Sequence, residues 1–195
     1  MKWEYSTPGI PDDLFYRSED VPITKEDIRA LVISKLRLKE GFNVIEVGSG
    51  SGSITVEICL QVKSGRVYSM DLNPKAIDLT QKNLDKFGVK ATLILSRAQD
   101  VITSLPMADA VVIGGTYGEP REIVRLCLQR LKSGGRIVVD TILIETLFKT
   151  LEAMKENDLT DVDITQATIS KSKSVSTGTM LIARNPVTII SATKN

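Results

Sequence analysis

The chain has 195 residues, 42% of them hydrophobic and 25% charged, with a formal net charge of +1 and no histidine. That length supports one sizeable core, and near-neutrality argues against a broad basic surface for nucleic acid. The missing histidine excludes a Ser-His-Asp triad and a His-dependent metal centre, so no metal is expected. Cys59 and Cys127 sit alone in apolar helical patterns and read as buried hydrophobes in a reducing compartment. No window approaches the roughly 18 apolar residues of a membrane span. The opening MKWEYSTPGIPDD lacks the apolar core of a secretory signal. A cytoplasmic protein with no membrane association is expected.

Residues 1–23 carry Pro8, Pro11 and Pro22, interspersed with Trp3, Tyr5, Phe15 and Tyr16. Proline at that density opposes regular helix, while the aromatics need a surface to lie against, so an ordered arm over a cleft is expected. Thr24-Lys25-Glu26-Asp27 resembles a capping box, and Ile28, Leu31, Val32 and Leu36 then recur at helical spacing up to Gly41. From residue 43 strands and helices alternate. NVIEV is a buried strand and ITVEICLQV a helix; RVYSM is a second strand ending at Asp71. Pro74 opens a helix that Gly88 closes, and ATLIL is a third strand. ADAVVIGG, EPREIVRLCLQRL and SGGRIVVDTIL read as strand, helix and strand, followed by a helix from about Glu145 to Glu156.

Strands separated by helices of this length imply right-handed crossovers and a parallel sheet covered on both faces. The fold class is therefore α/β, a doubly wound and mostly parallel sheet, with the whole chain 1–195 as a single domain. Residues 157–195 differ. DVDITQATIS and TGTMLIARN are strand-like runs with no helix between them, joined by KSKSVS, which reads as a solvated loop. They form a C-terminal antiparallel hairpin, and Pro186 limits VTIISAT to an edge strand or a tail.

The stretch VIEVGSGSGSITVEI, residues 44–58, places Gly48, Gly50 and Gly52 between the first strand and its helix. Glycine lets backbone amides approach a ligand, and the helix presents its positive end there. A dinucleotide fingerprint needs Gly or Ala where this chain has Ser53, which opposes a nicotinamide oxidoreductase. Asp71 ends the second strand beside this loop, where a carboxylate can accept from both hydroxyls of a ribose. Glu46 reads as an orienter of the loop. Gly114-Gly115-Thr116-Tyr117-Gly118 follows the fourth strand, where two glycines would let a flat ligand approach the backbone.

Glu46-Val-Gly48-Ser49-Gly50-Ser51-Gly52 followed by Asp71 resembles the first two motifs of the class I S-adenosylmethionine-dependent methyltransferases, whose sheet has seven strands, the last antiparallel. More narrowly, GIPDDLFYRSEDVPITKEDIRALVISKL, VVIGGTYGE, GGRIVVDTILIET and STGTMLIARNPV resemble, in order, segments of the decarboxylating cobalt-precorrin methyltransferases of cobalamin biosynthesis. The resemblance covers nearly the whole chain. It implies methylation of a corrinoid, a tetrapyrrole similar to cobalt-precorrin-6B, at carbon 15, with loss of carbon dioxide from the ring C acetate. It implies S-adenosyl-L-methionine as cofactor, bound by Thr24, Gly48, Ser49, Gly50, Ser51, Gly52, Asp71 and Ala98, and a homotetramer.

Arg97 stands where many class I enzymes place an acid for the adenine amine, which leaves backbone contacts at Ala98 as the mode expected there. Gly114, Gly115, Thr116 and Arg184 are the substrate-side candidates, and Glu145 could face the cleft. A substrate rich in carboxylates calls for a cleft lined by cations drawn from Arg17, Lys25, Arg29, Lys171, Lys173 and Arg184. No residue is assigned as catalyst. Displacement at a sulfonium demands alignment above all, so a histidine base is not required. The alternative is an RNA or protein methyltransferase of the same fold. Against it stand GGTYG where amino-nitrogen methyltransferases often carry Asn-Pro-Pro-aromatic, and the lack of a basic appendage.

Overall fold

Residues 3–195 are described by a computed structural model; Met1 and Lys2, the start of the expected arm, lie outside the described residues. A single 3-10 turn at Asp12–Leu14 interrupts the arm. The elements that follow are α1 (Glu26–Leu36), β1 (Asn43–Val47), α2 (Ser53–Val62), β2 (Arg66–Asp71), α3 (Pro74–Phe87), β3 (Thr92–Leu95) and α4 (Ala98–Val101). Then come β4 (Ala108–Ile113), α5 (Pro120–Arg130), β5 (Leu131–Thr141), α6 (Ile144–Glu156), β6 (Thr160–Ala167), β7 (Ser170–Val175), β8 (Gly178–Ala183) and β9 (Val187–Thr193). The short α4 has no counterpart in the sequence reading, since four residues leave no period to detect.

The main sheet has seven strands in the order β3-β2-β1-β4-β5-β9-β6. The first five are parallel, and β9 runs antiparallel to both β5 and β6. Side chains alternate strictly across it. Ile45, Val47, Val111, Ile113, Ile137, Val139, Ile190 and Ala192 pack with Ile123, Val124, Cys127 and Met154 of α5 and α6. Their neighbours Val44, Ala110, Val112, Val138 and Ile189 face α1, α2 and α3, with Ile10 and Phe15 of the arm. Two buried faces explain why these strands read as continuous apolar runs. The order reverses between β1 and β4, so their carboxyl ends diverge and open a crevice.

The C-terminal pairing departs from expectation. VTIISAT is neither edge nor tail: β9 lies inside the sheet, with Ile189 and Ile190 fully buried. Pro186 ends just before the strand, so its missing N–H costs no ladder bond. DVDITQA (β6) pairs with β9, while TGTMLIA (β8) pairs with KSKSV (β7) in a separate two-stranded sheet. The KSKSVS segment is thus mostly strand. Arg136 fastens this region: its guanidinium donates to Asp161 Oδ2 (2.9 Å), Thr193 Oγ1 (2.9 Å), Ser191 Oγ (2.7 Å) and Lys35 O (3.1 Å).

Candidate functional site

The loop after β1 is folded by its glycines, each in left-handed conformation: Gly48 at φ 86°, Gly50 at 52° and Gly52 at 77°. Each is also pressed against a different part of the protein. A Cβ on Gly48 would stand 2.8 Å from Gly115 N, one on Gly50 2.9 Å from Pro22 O, and one on Gly52 2.7 Å from Thr80 Cγ2. Glycine here therefore joins the loop to the β4 turn, the arm and α3 as much as it bares backbone. The helix α2 starts directly behind, and a cavity of about 290 Å³ opens before it, lined by Pro22, Thr24, Gly48, Ser49, Gly50, Asp71, Gly114, Gly115 and Tyr117 among others. Ser49 and Ser51 are buried, and neither hydroxyl has a partner.

Asp71 is brought to this cavity by the end of β2. Its Oδ2 accepts from Gly50 N at 3.0 Å, and its Oδ1 from Asn73 N at 2.9 Å and from Tyr117 Oη at 2.8 Å. Capping of α3 is done by Asn73, whose side chain accepts from Lys75 N, so Asp71 is not needed as the helix cap. Tyr117, which the sequence reading named only as part of its loop, lines the cavity and meets Asp71. It is 61% exposed, sits at φ 46°, and its phenol covers the acid expected to take a ribose. Burial and the Asp71 bond push its hydroxyl up to about 12. On its far side Tyr117 borders a small space of about 20 Å³ with Met70, Leu72, Ser96, Arg97 and Ala98. Ala98 is buried there at the start of α4, while Arg97 pairs outward with Glu119 at 3.4 Å.

Thr24 lines the same cavity, and not by capping α1: the N-cap is Lys25, with no side-chain cap bond. Its place is set by Arg29, one of the cations expected to meet substrate. Arg29 is instead fully buried as a latch for the arm. It donates to Glu57 Oε1 (2.6 Å), Asp12 Oδ1 (3.2 Å), and the carbonyls of Thr24 and Ile10, and it lies over Phe15. Glu57 completes the latch by accepting from Gly9 N and Ile10 N, both at 3.0 Å. A buried guanidinium is tolerated because its donors are met.

A second cavity, about 450 Å³, adjoins the first and shares Pro22, Thr24, Gly114, Gly115 and Tyr117 with it. Ile23, Lys25, Ile28, Thr116, Asp140, Ile142, Leu143 and Val187 also line it. Its mouth is apolar, with Ile142 and Leu143 more than half exposed. Asp140, at the end of β5, was not picked out from sequence. Burial raises its carboxyl to about 6, and its enclosed Oδ1 has no hydrogen-bond partner. Behind the loop, Glu46 is pushed up to about 7, chiefly by burial, although its Oε2 accepts from Thr55 Oγ1 (2.5 Å) and Ser69 Oγ (2.6 Å). Those bonds make it an anchor of β1, α2 and β2.

The expected ring of cations is largely elsewhere. Lys25 alone of the six lines this cavity. Lys171 pairs with Glu26 (2.9 Å) and Asp27 (3.0 Å), while Arg17 and Lys173 are exposed away from it. Arg184 lines neither cavity; it closes β8 with its N–H on Ile169 O at 2.9 Å. Glu145 is exposed in the first turn of α6 and lines neither. Hence Gly114, Gly115 and Thr116 are grouped with the cofactor-side candidates by the fold, and Arg184 is not.

A sheet of this order with a glycine loop after β1 and an acid ending β2 defines a Rossmann-like methyltransferase fold, and two comparable crystal structures have it. A precorrin 8W decarboxylase from Methanobacterium thermoautotrophicum superposes with a TM-score of 0.89 at 36% identity, over 94% of this chain and 98% of that one. A precorrin-6y C5,15-methyltransferase from Geobacter metallireducens gives 0.90 at 34%, over 97% and 100%. The profile of the precorrin methyltransferase domain matches residues 14–194. A protein of Saccharolobus solfataricus named probable cobalt-precorrin-6B C(15)-methyltransferase (decarboxylating) is 44% identical over 100% of both chains. The chain belongs to the precorrin methyltransferase family.

Proposed function

We propose that the protein methylates a cobalt-precorrin-6B-like corrinoid at carbon 15 and removes carbon dioxide from its ring C acetate, with S-adenosyl-L-methionine as methyl donor. The observation that carries this reading is the pair of adjoining cavities, one lined by the glycine loop and Asp71, the other apolar at its mouth and floored by Gly114 and Gly115. The residues suit the donor: a carboxylate for ribose hydroxyls, a Ser49 hydroxyl that is buried and unpartnered among the described residues, and a loop that its three glycines fold tightly against the cavity wall. When bound, the donor supplies an electrophilic methyl group on a cationic sulfur.

In this reading Thr24, Gly48, Ser49, Gly50, Ser51, Gly52, Asp71 and Ala98 hold the donor, and residues 3–23 of the arm roof the cleft through the Arg29 latch. Gly114, Gly115 and Thr116 receive the flat macrocycle against backbone, and Ile142 and Leu143 meet its apolar edge. The Asp71 carboxylate in its wall favours a cation in the first cavity. We read the chain as one cytoplasmic domain. We assign the exposed β7–β8 hairpin, with Met180, Leu181 and Ile182 at its surface, to self-association in a tetramer.

The test is to incubate the protein with S-adenosylmethionine and cobalt-precorrin-6B without oxygen and to weigh the product. Gain of one methylene with loss of one carbon dioxide is expected. An unchanged corrinoid, from protein that binds S-adenosylhomocysteine, would contradict the reading.

A further inference from the structure

We infer that Asp140 is the acid–base residue of the acceptor cavity, giving a proton to the side-chain carbon that loses carbon dioxide and taking one from the carbon that gains the methyl group. The inference rests on the reading above and adds the residue that reading leaves unassigned.

Its position argues first. Asp140 ends β5 on the sheet face shared with Glu46 and lines the cavity directly beside the twin glycines. A Cβ built on Gly114 would stand 3.5 Å from Asp140 Oδ1, so the bare glycine leaves room beside that oxygen. Oδ1 is enclosed, yet no group among the described residues bonds it. A buried carboxyl oxygen without a partner is costly, which is the mark of a group kept for a ligand.

Elimination argues second. Among the described residues lining this cavity the other titratable groups are Lys25 and Tyr117. The Tyr117 hydroxyl is pushed up to about 12, chiefly by burial, far from the range useful to proton exchange at neutral pH. Glu46 also has an unpartnered buried oxygen, Oε1, but it lies behind the loop, lines neither cavity and is fixed by two bonds at Oε2. Asp140, held near 6 by burial, can both give and take a proton.

The proton balance closes on one group. Decarboxylation breaks the bond between the side-chain methylene and the carboxyl carbon. The pair of electrons stays with the methylene and the conjugated ring, carbon dioxide departs, and the methylene takes one proton to become methyl. Replacement of hydrogen by methyl at carbon 15 releases one proton. The two events cancel, so no external acid, base or oxidant is consumed.

The test compares wild type with Asp140→Asn and Asp140→Glu for conversion of cobalt-precorrin-6B, S-adenosylhomocysteine affinity and melting temperature. In Asp140→Asn the melting point and the affinity should stay near wild type, while carbon dioxide release and methyl incorporation both fall at least about 100-fold. Asp140→Glu should recover part of this. The wild-type rate should bend near pH 6, falling above it where carbon dioxide leaves first and rising through it where methyl transfer comes first, and the residual Asn rate should show no bend. Lys25, Tyr117 and Glu46 are the other titratable groups around it and are unchanged in both variants.

An Asn variant converting the corrinoid within threefold of wild type overturns the inference alone. So does one that loses S-adenosylhomocysteine, because Asp140 would then be a cofactor ligand. If Asn does not fold, a wild-type rate flat between about pH 5 and 8 overturns it. A wild type that leaves the corrinoid unchanged removes both the inference and the reading beneath it.

Discussion

The two cavities meet at the same turns, yet they are built in opposite ways. On the donor side the loop's backbone amides and the Asp71 carboxylate are already bonded, leaving the Ser49 and Ser51 hydroxyls unpartnered among the described residues: Asp71 accepts three times, Gly48 and Ser49 donate to Met70 O, and Ser51 donates to Pro22 O. On the acceptor side the walls are apolar, the mouth is wide, and Asp140 Oδ1 is left without a partner. A preorganised half suits a cofactor common to many enzymes. An open, greasy half with one spare carboxyl suits a large flat substrate on which chemistry is done. On the proposed reading, binding of the donor and reaction of the acceptor fall in separate cavities, and each half can be attacked alone.

The largest effect should come from the arm. Arg29→Ala strands Glu57 and Asp12 and should cost about 3–5 kcal/mol of unfolding free energy, read by denaturant titration. Because Thr24 and Pro22 would loosen with it, the donor cavity should lose affinity while Asp140 stays in place. Asp71→Ala should weaken S-adenosylhomocysteine by roughly 100-fold, about 2.7 kcal/mol, in a calorimetric titration, and lower the melting temperature as Gly50 N and Asn73 N lose their acceptor. A change under threefold would break the assignment of the donor half.

Glu46 sharpens the comparison through pH. Its folded-state value near 7 lies above the unfolded value of 4.5. Below about 4.5 both states are protonated. Between there and 7 the unfolded chain releases a proton that the folded chain keeps, so stability falls as pH rises. Glu46→Gln should remove that fall, on the order of 2 kcal/mol across the window, in melts taken from pH 4.5 to 7.5. The smallest effect is at Tyr117. Tyr117→Phe removes the phenol that must leave Asp71 before a ribose can take its place. It should tighten S-adenosylhomocysteine by about threefold, since a neutral donor on a carboxylate is worth on the order of 1 kcal/mol. Weaker binding would mean that Tyr117 holds the cofactor and does not merely stand in its place.

What could be read in the sequence follows the same division. The glycine loop and Asp71 were legible because their job fixes residue type at fixed spacing after a strand. The alternation of parallel strands and helices was legible because two buried faces leave apolar runs. The end of the chain was not. VTIISAT looks like any short apolar segment after a proline, and only its register against β5, with Asp140 opposite Ile189, puts it inside the sheet. Lys171 and Lys173 alternate with serines in KSKSV, and residues of weak strand preference hid β7. Arg29 looked like a cation for substrate, because sequence does not show that Asp12, Glu57 and two carbonyls of the arm converge on it. Asp140 carried no local signal at all. Its interest lies in a missing partner, which only the assembled site reveals.

The most direct measurement of the whole account is a single-turnover count with enzyme in excess. The cobalt-precorrin-6B would carry label in the ring C acetate carboxyl, and the S-adenosylmethionine label in its methyl group. One labelled carbon dioxide released for each methyl transferred, with both lost together in Asp140→Asn, is the expected result. Methyl transfer that proceeds with no carbon dioxide released would contradict the claim that the two cavities form one decarboxylating methyltransferase site.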